Sequence, residues 1–169
     1  MRIFKKVILP ISLVILLIAL DQITKYWAVQ NLMGQPPHII IDGILSFRYH
    51  ENAGMAFGLM QGGRWFFVAL TLPILGFLLY YYNSMPKNPI GNAVRISILG
   101  LIGGALGNFV DRLFQGYVVD FIQVTFINFP IFNVADIFVV ISTISMGILV
   151  FFVKDEDLKF KKGSFKKNG

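Results

Sequence analysis

Cysteine is absent from the sequence, which excludes disulfides, thiol nucleophiles and Cys-ligated metals. Histidine occurs only as His38 and His50, and His50-Glu51 is not followed by the second histidine of an H-E-x-x-H zinc helix. There is no G-x-S-x-G, so the strained turn that presents the serine of many hydrolases is missing. A Ser–Lys pair built on Lys25 stays open, although no serine is obviously placed for it. Charge is scarce too. Asp, Glu, Lys and Arg make up 14% of the chain, against roughly 25% in a soluble domain. Hydrophobic residues reach 56% and mean hydropathy is +0.69, so a membrane protein is the first reading, of a size for one domain.

The net charge of +6 invites a nucleic-acid partner, but its distribution argues against one. Arg2, Lys5 and Lys6 precede the first apolar run, Lys87 and Arg95 fall between the second and third, and six lysines follow the last; these are 11 of the 15 basic residues. The apolar runs predict four membrane-spanning helices at about 7–28, 65–82, 93–110 and 134–153, each near the length that crosses a bilayer core of about 30 Å. The first begins like a secretory signal peptide, but no A-x-A-like site follows it, and retention as a helix is expected. Four spans put both termini and the 82–95 connection on the basic side, which the positive-inside rule places in the cytoplasm. Residues 29–64 hold the run HIIIDGILSFRYH, which alternates around the turn signal Asp42-Gly43 and predicts a small β-structured lobe outside the membrane. The expected organisation is thus an all-α four-helix transmembrane bundle with a small extracytoplasmic β lobe, one domain over 1–153, and a basic cytoplasmic tail over 154–169.

The polar residues inside this apolar chain gather at one level. Asp120 and Asp136 are separated by 16 residues with no Lys or Arg between them. Asp136 opens the fourth run, and Asp120 reads as a loop acid just before it. Ionised acids in lipid are costly, so they face the protein interior and mark function. Two brought together could share a proton. Gly104, Asn108 and Arg112 follow at i, i+4, i+8 on one face of the third helix, and Asp21 and Lys25 at i, i+4 on the first. Each has a plainer reading as well. Asp21 and Lys25 suit an ion pair anchoring a helix end, and Arg112 suits snorkelling to headgroups or neutralising Asp111. Asn133 and Asp136 suit helix capping, and the glycines at 100, 103, 104 and 107 suit close helix packing.

The segments LDQITKYW (20–27), ENAGMAFG (51–58), GGALGNFVDR (103–112), VVDFI (118–122) and FNVADIF (132–138) together closely resemble the lipoprotein signal peptidases, or signal peptidase II. The resemblance covers essentially all but the tail. It implies an aspartic endopeptidase of the bacterial cytoplasmic membrane that cuts prolipoproteins just before a diacylglyceryl-modified cysteine. Asp120 and Asp136 would be its catalytic pair, with Asp21, Lys25, Asn52, Gly54, Gly104, Asn108, Arg112, Asn133 and Ala135 binding substrate or supporting the site. No metal or organic cofactor is expected, the partners are prolipoprotein and membrane lipid, and a monomer is expected. Arg112 should lie offset from both acids, because a cation beside them would favour double ionisation. The outer lobe is expected to move during turnover. The alternative from another class is a small proton-coupled transporter, which would put its acids at mid-membrane depth.

Overall fold

A computed structural model describes residues 7–54 and 62–152. Helix α1 runs over Leu9–Leu32, strands β1 and β2 over His38–Ile41 and Leu45–Asn52, α2 over Arg64–Ser84 and α3 over Pro89–Phe114. Strand β3 (Val118–Val124) and α4 (Val134–Phe152) follow. Helices α1, α2 and α3 are long and apolar enough to cross a membrane by length and composition, and α4 is apolar after Asp136. Leu158 and the basic residues beyond Phe152, like Arg2, Lys5 and Lys6 at the other end and Met55–Gln61 of the lobe, lie outside the described residues.

The helix ends follow local chemistry. Pro10 and Pro89 sit in the first turns of α1 and α3, where a missing N–H costs nothing. Asn88 caps α3 by accepting from the Gly91 N–H at 2.6 Å. The Arg95 guanidinium donates to the carbonyls of Tyr82, Met85 and Pro86. It thereby satisfies orphan carbonyls at the C-terminus of α2, where the helix dipole favours a cation. Arg64 does the same for Leu113 O at the far end of α3. Gly116, at φ +88°, then turns the chain into β3 through a left-handed conformation that a side chain would strain.

Two helices run past the predicted spans. The first was expected to end near residue 28, but α1 continues to Leu32 because Ala28 and Leu32, one turn apart, pack with Val119 and Phe121 of β3. The third starts at Pro89 rather than 93, at its Asn88 cap, and continues to Phe114 rather than 110. The lobe also needs correction. Ile41 O accepts from Ile44 N at 3.0 Å across Asp42-Gly43, with Gly43 at φ +66°, so the β1–β2 hairpin turns where expected. The sheet, however, is three-stranded in the order β1-β2-β3, all antiparallel. Its third strand comes from beyond α3, so the lobe is not confined to 29–64. Asp120 accordingly sits on a strand paired with His50 of β2, not in a loop. Trp27, Phe47 and Phe121 meet edge to face with centroids 5.7–6.3 Å apart, fixing the sheet to the end of α1.

Helix α3 packs against the other three helices, and its glycines divide the work. A Cβ at Gly104 would stand 2.5 Å from Ala135 O and at Gly100 would overlap the Ser142 side chain, both on α4. A Cβ at Gly103 would meet Leu17 at 2.7 Å and at Gly107 Asp21 Oδ2 at 2.6 Å, both on α1. Two small-xxx-small pairs thus serve two neighbours. Gly107→Ala is expected to lower stability by about 1–3 kcal/mol, the usual range for overpacking. It would show as a reduced melting temperature in detergent, with no loss for Gly76→Ala, where a Cβ meets nothing within 4 Å and the helix favours Ala over Gly.

Candidate active site

Asp120 and Asp136 come together through asparagines. Asn133 immediately precedes α4 and is fully buried. Its side-chain N–H donates to Asp120 Oδ1 at 2.7 Å. Its Oδ1 accepts from the Asp136 N–H at 3.1 Å, while its own backbone N–H donates to Asp136 Oδ2 at 3.1 Å. That reciprocal pair caps α4 in the manner of a capping box, so the capping reading and the site reading hold at once. The other oxygens are also bonded. Asn52 Nδ2 of β2 donates to Asp120 Oδ2 at 2.9 Å, and Asn108 Nδ2 of α3 donates to Asp136 Oδ1 at 2.8 Å. Five segments therefore converge: β2, α3, β3, the residue before α4, and α4 itself.

Burial pushes the Asp120 carboxyl up to about 7. The Asn52 bond opposes that rise, the Asp136 charge adds to it, and Asn133 and Lys25 oppose it. Asp120 is 2% exposed, so loss of water outweighs its neutral donors.

Behind this pair lies a buried ion cluster. Lys25 Nζ stands 2.8 Å from Asp21 Oδ2, 2.9 Å from Asp111 Oδ2 and 2.9 Å from Asn108 Oδ1. Gln22 adds a donor to Asp111 Oδ1 at 2.8 Å and to Gly107 O at 3.2 Å. Asp21 Oδ1 in turn accepts from the Ala135 N–H at 2.9 Å, one of the orphan donors at the start of α4. The ion pair expected within α1 is thus formed, and with Lys25 3% exposed and Asp21 at 0% it lies in the protein interior. Lys25 also fixes the Asn108 amide. Asn108 Oδ1 accepts from both Lys25 and Asn133 Nδ2, so its N–H must face Asp136.

Signal peptidase (SPase) II is the family whose sequence pattern matches residues 13–152. The chain belongs to that family. Two curated relatives are lipoprotein signal peptidases of Streptococcus pyogenes, serotypes M6 and M5, each 39% identical over 153 residues, or 90% of this chain and 97% of theirs. Two solved structures described as a bacterial membrane enzyme share the fold. One matches with TM-score 0.74 at 32% identity, covering 86% of this chain and 89% of its own. The other matches with TM-score 0.74 at 33% identity, covering 89% and 96%. As an SPase II the protein is a peptidase, and its apolar helices and family make it a bacterial membrane protein. The transporter alternative finds no support.

Within this signal peptidase, the remaining residues singled out in the sequence fall around the pair. The Gly54 N–H donates to Asn52 Oδ1 at 3.1 Å, orienting that amide. Gly54 O accepts from Arg112 Nη2 at 3.4 Å, and the Arg112 guanidinium lies 4.8 Å over the Phe67 ring. Arg112 thus points to the start of α2 and the end of β2. It does not neutralise Asp111, whose partner is Lys25. Ala135 and Gly104 bring α3 and α4 into contact beside the pair. Two residues of the cluster were not singled out as site residues in the sequence, Gln22 and Asp111, the latter read only as a partner for Arg112. Asp111 stands at i+7 and i+4 from Gly104 and Gly107, on the packed side of α3, and that spacing was the available signal.

Proposed function

We propose that Asp120 and Asp136 are the catalytic pair of this signal peptidase, cutting bacterial prolipoproteins before the diacylglyceryl-modified cysteine. The observation that carries the reading is Asn133, which bonds both carboxyl groups from one residue. Asp120, with its proton affinity raised to about 7, is the acid at rest, and Asp136 is the base. A water between them gives a proton to Asp136 and attacks the scissile carbonyl, whose oxygen takes the Asp120 proton. Collapse of the tetrahedral intermediate then passes a proton to the leaving amine and releases the signal peptide with no covalent enzyme intermediate. Asn52, Asn108 and Asn133 hold the carboxyls without adding charge, which preserves the shared proton. Arg112, bonded to Gly54 O, is placed to bind a substrate carbonyl.

The proposed setting is a monomer with four membrane spans, one domain over 1–153, and both termini with the 154–169 tail in the cytoplasm. The three-stranded lobe lies at the outer surface, where the signal-peptide helix and the two acyl chains of the substrate meet water. Asp21, Lys25, Gly104 and Ala135 support the site from behind.

The test is cleavage of a diacylglyceryl-modified prolipoprotein by the purified protein in bilayers, beside the same substrate unmodified. The expected result is one cut, at the bond before the modified cysteine, and no cut in the unmodified substrate. Equal cleavage of both would remove the lipid-directed specificity.

A further inference from the structure

Strand β2 carries more of the site wall than Asn52. Phe47 and Tyr49 pack against the apolar cluster of Ala28, Leu32, Val119 and Phe121 at the end of α1. Alternation then puts Arg48, His50 and Asn52 on the opposite face. Two observations fix which face that is. Asn52 Nδ2 reaches Asp120 Oδ2, and His50 stands opposite Asp120 in the β2–β3 register. The face of the sheet that holds Asp120 therefore continues along β2 into a histidine and an arginine. At about 3.4 Å per residue, His50 lies about 7 Å and Arg48 about 13 Å along the strand from Asn52.

Both side chains are exposed. Neither turns back onto Asp120, which is 2% exposed and whose oxygens accept from Asn52 and Asn133. Glu51 belongs to the other face, where it accepts from Tyr49 OH at 2.9 Å. The ion pairs found among the described residues are those of Lys25, so Arg48 and His50 have no acid there. Arg48 is a full cation, and His50 offers an N–H in either protonation state. Exposed cations of membrane proteins also reach for lipid headgroups, but that use would suit any position around the rim. These two stand in line with the aspartates, on the face that holds one of them.

We propose that Arg48 and His50 are specificity-determining residues that bind an acidic side chain of the substrate, within the first few residues beyond the cut. This assignment rests on the peptidase reading given above. With the scissile bond at the aspartates and the signal-peptide helix held in the membrane, the chain after the modified cysteine is the part free to follow β2. Extended, it has the rise of the strand beneath it, so its second to fourth residues come beside His50 and Arg48. A guanidinium takes a carboxylate through two parallel bonds, and a basic residue at the same place would be repelled. The contact forms on binding and persists through the chemical step, so it lowers KM and leaves kcat unchanged.

Two diacylglyceryl-modified prolipoproteins in bilayers of neutral lipid decide it, identical except for Asp or Asn at the second to fourth residues beyond the cut. The parent should favour the Asp substrate in kcat/KM by about fivefold, the upper end for one exposed ion pair, with the difference in KM. That preference should fade between about 0.1 M and about 1 M salt, as the screening length falls from about 10 Å to about 3 Å. Arg48→Gln should remove most of it, His50→Ala should reduce it, and Arg48→Glu should reverse it. Each value is a ratio of two substrates on one variant, so a partly unfolded fraction cancels. Equal kcat/KM for the two substrates on the parent would overturn the proposal and leave the catalytic pair in place. So would a preference that Arg48→Glu does not change, or an Arg48→Gln protein that loses both substrates alike, as expected of a headgroup contact. No cut in either substrate by the parent would remove the peptidase reading and this proposal with it.

Discussion

Asp120→Asn and Asp136→Asn should each reduce prolipoprotein cleavage by roughly 10⁴-fold, the upper end for positioned proton transfer. An amide can neither take the water proton nor give one to the carbonyl oxygen. The two changes should not multiply, because the acid and the base act as one unit and losing either leaves the other without its task. Both variants should remain folded, yet not equally. Each carboxyl oxygen of the pair accepts an N–H, and an asparagine must turn its own N–H₂ toward one of these donors. At Asp120 the loss is moderated, since the substitution also removes a carboxyl that burial holds at about 7. At Asp136 the donors are the Asn133 backbone N–H and an Asn108 amide whose carbonyl end is occupied by Lys25 and Asn133. Neither can reverse, and the Asn52 and Asn133 amides facing Asp120 are equally fixed, so each substitution should cost about 1–3 kcal/mol for an unsatisfied group, with Asp136→Asn melting lower because only Asp120 has that relief. Cleavage that survives either substitution would remove the pair from the mechanism.

Lys25→Met should have the largest effect on stability. The substitution keeps most of the side-chain volume and removes the only cation bonded to Asp21 and Asp111 among the described residues. Breaking a buried ion pair from one side costs about 3–5 kcal/mol, because the partner charge is left in a medium that solvates it poorly. For a chain of this size that lowers the melting temperature on the order of 10 °C. Activity should fall with it even in the folded fraction, since Asn108 loses the donor that sets its orientation toward Asp136. Adding Asp111→Asn to Lys25→Met should restore part of the stability, by removing one of the stranded charges. A Lys25→Met protein that melts with the parent would show that the cluster carries no net stabilisation.

Much of this architecture could be read from local pattern. Apolar runs of membrane length locate the helices, Asp42-Gly43 locates the hairpin, and the Gly100–Gly104 and Gly103–Gly107 spacings mark close packing. What escaped was long-range. Strand β3 pairs with β2 across more than sixty residues of chain containing two helices, and nothing in VVDFI announces that partner, so Asp120 read as a loop acid. The extra turn of α1 depends on Ala28 and Leu32 meeting that strand. Asp111 looked like a partner for its neighbour Arg112. It is claimed instead by Lys25, because Gly107 lets α1 approach closely enough for the two buried charges to meet. Motif likeness named the carboxylates and the three asparagines. It could not supply the wiring, in which Asn133 caps a helix and bonds both acids.

The central claim is that the pair holds a single proton near neutral pH and that Asp120 carries it. Isotope-edited infrared titration of aspartate-labelled protein in bilayers reads it directly, through the stretching band of a protonated carboxyl. The predicted result is a band present at pH 6 that disappears with a midpoint near 7. It should be missing in Asp120→Asn and shifted to lower pH in Asp136→Asn, where the neighbouring charge that raises it is gone. The sign follows from burial. A raised proton affinity keeps the acid form below about 7 and loses it above, so cleavage should decline along the same limb. A titration in which both carboxyls ionise together near the ordinary aspartate value of about 4 would contradict the account.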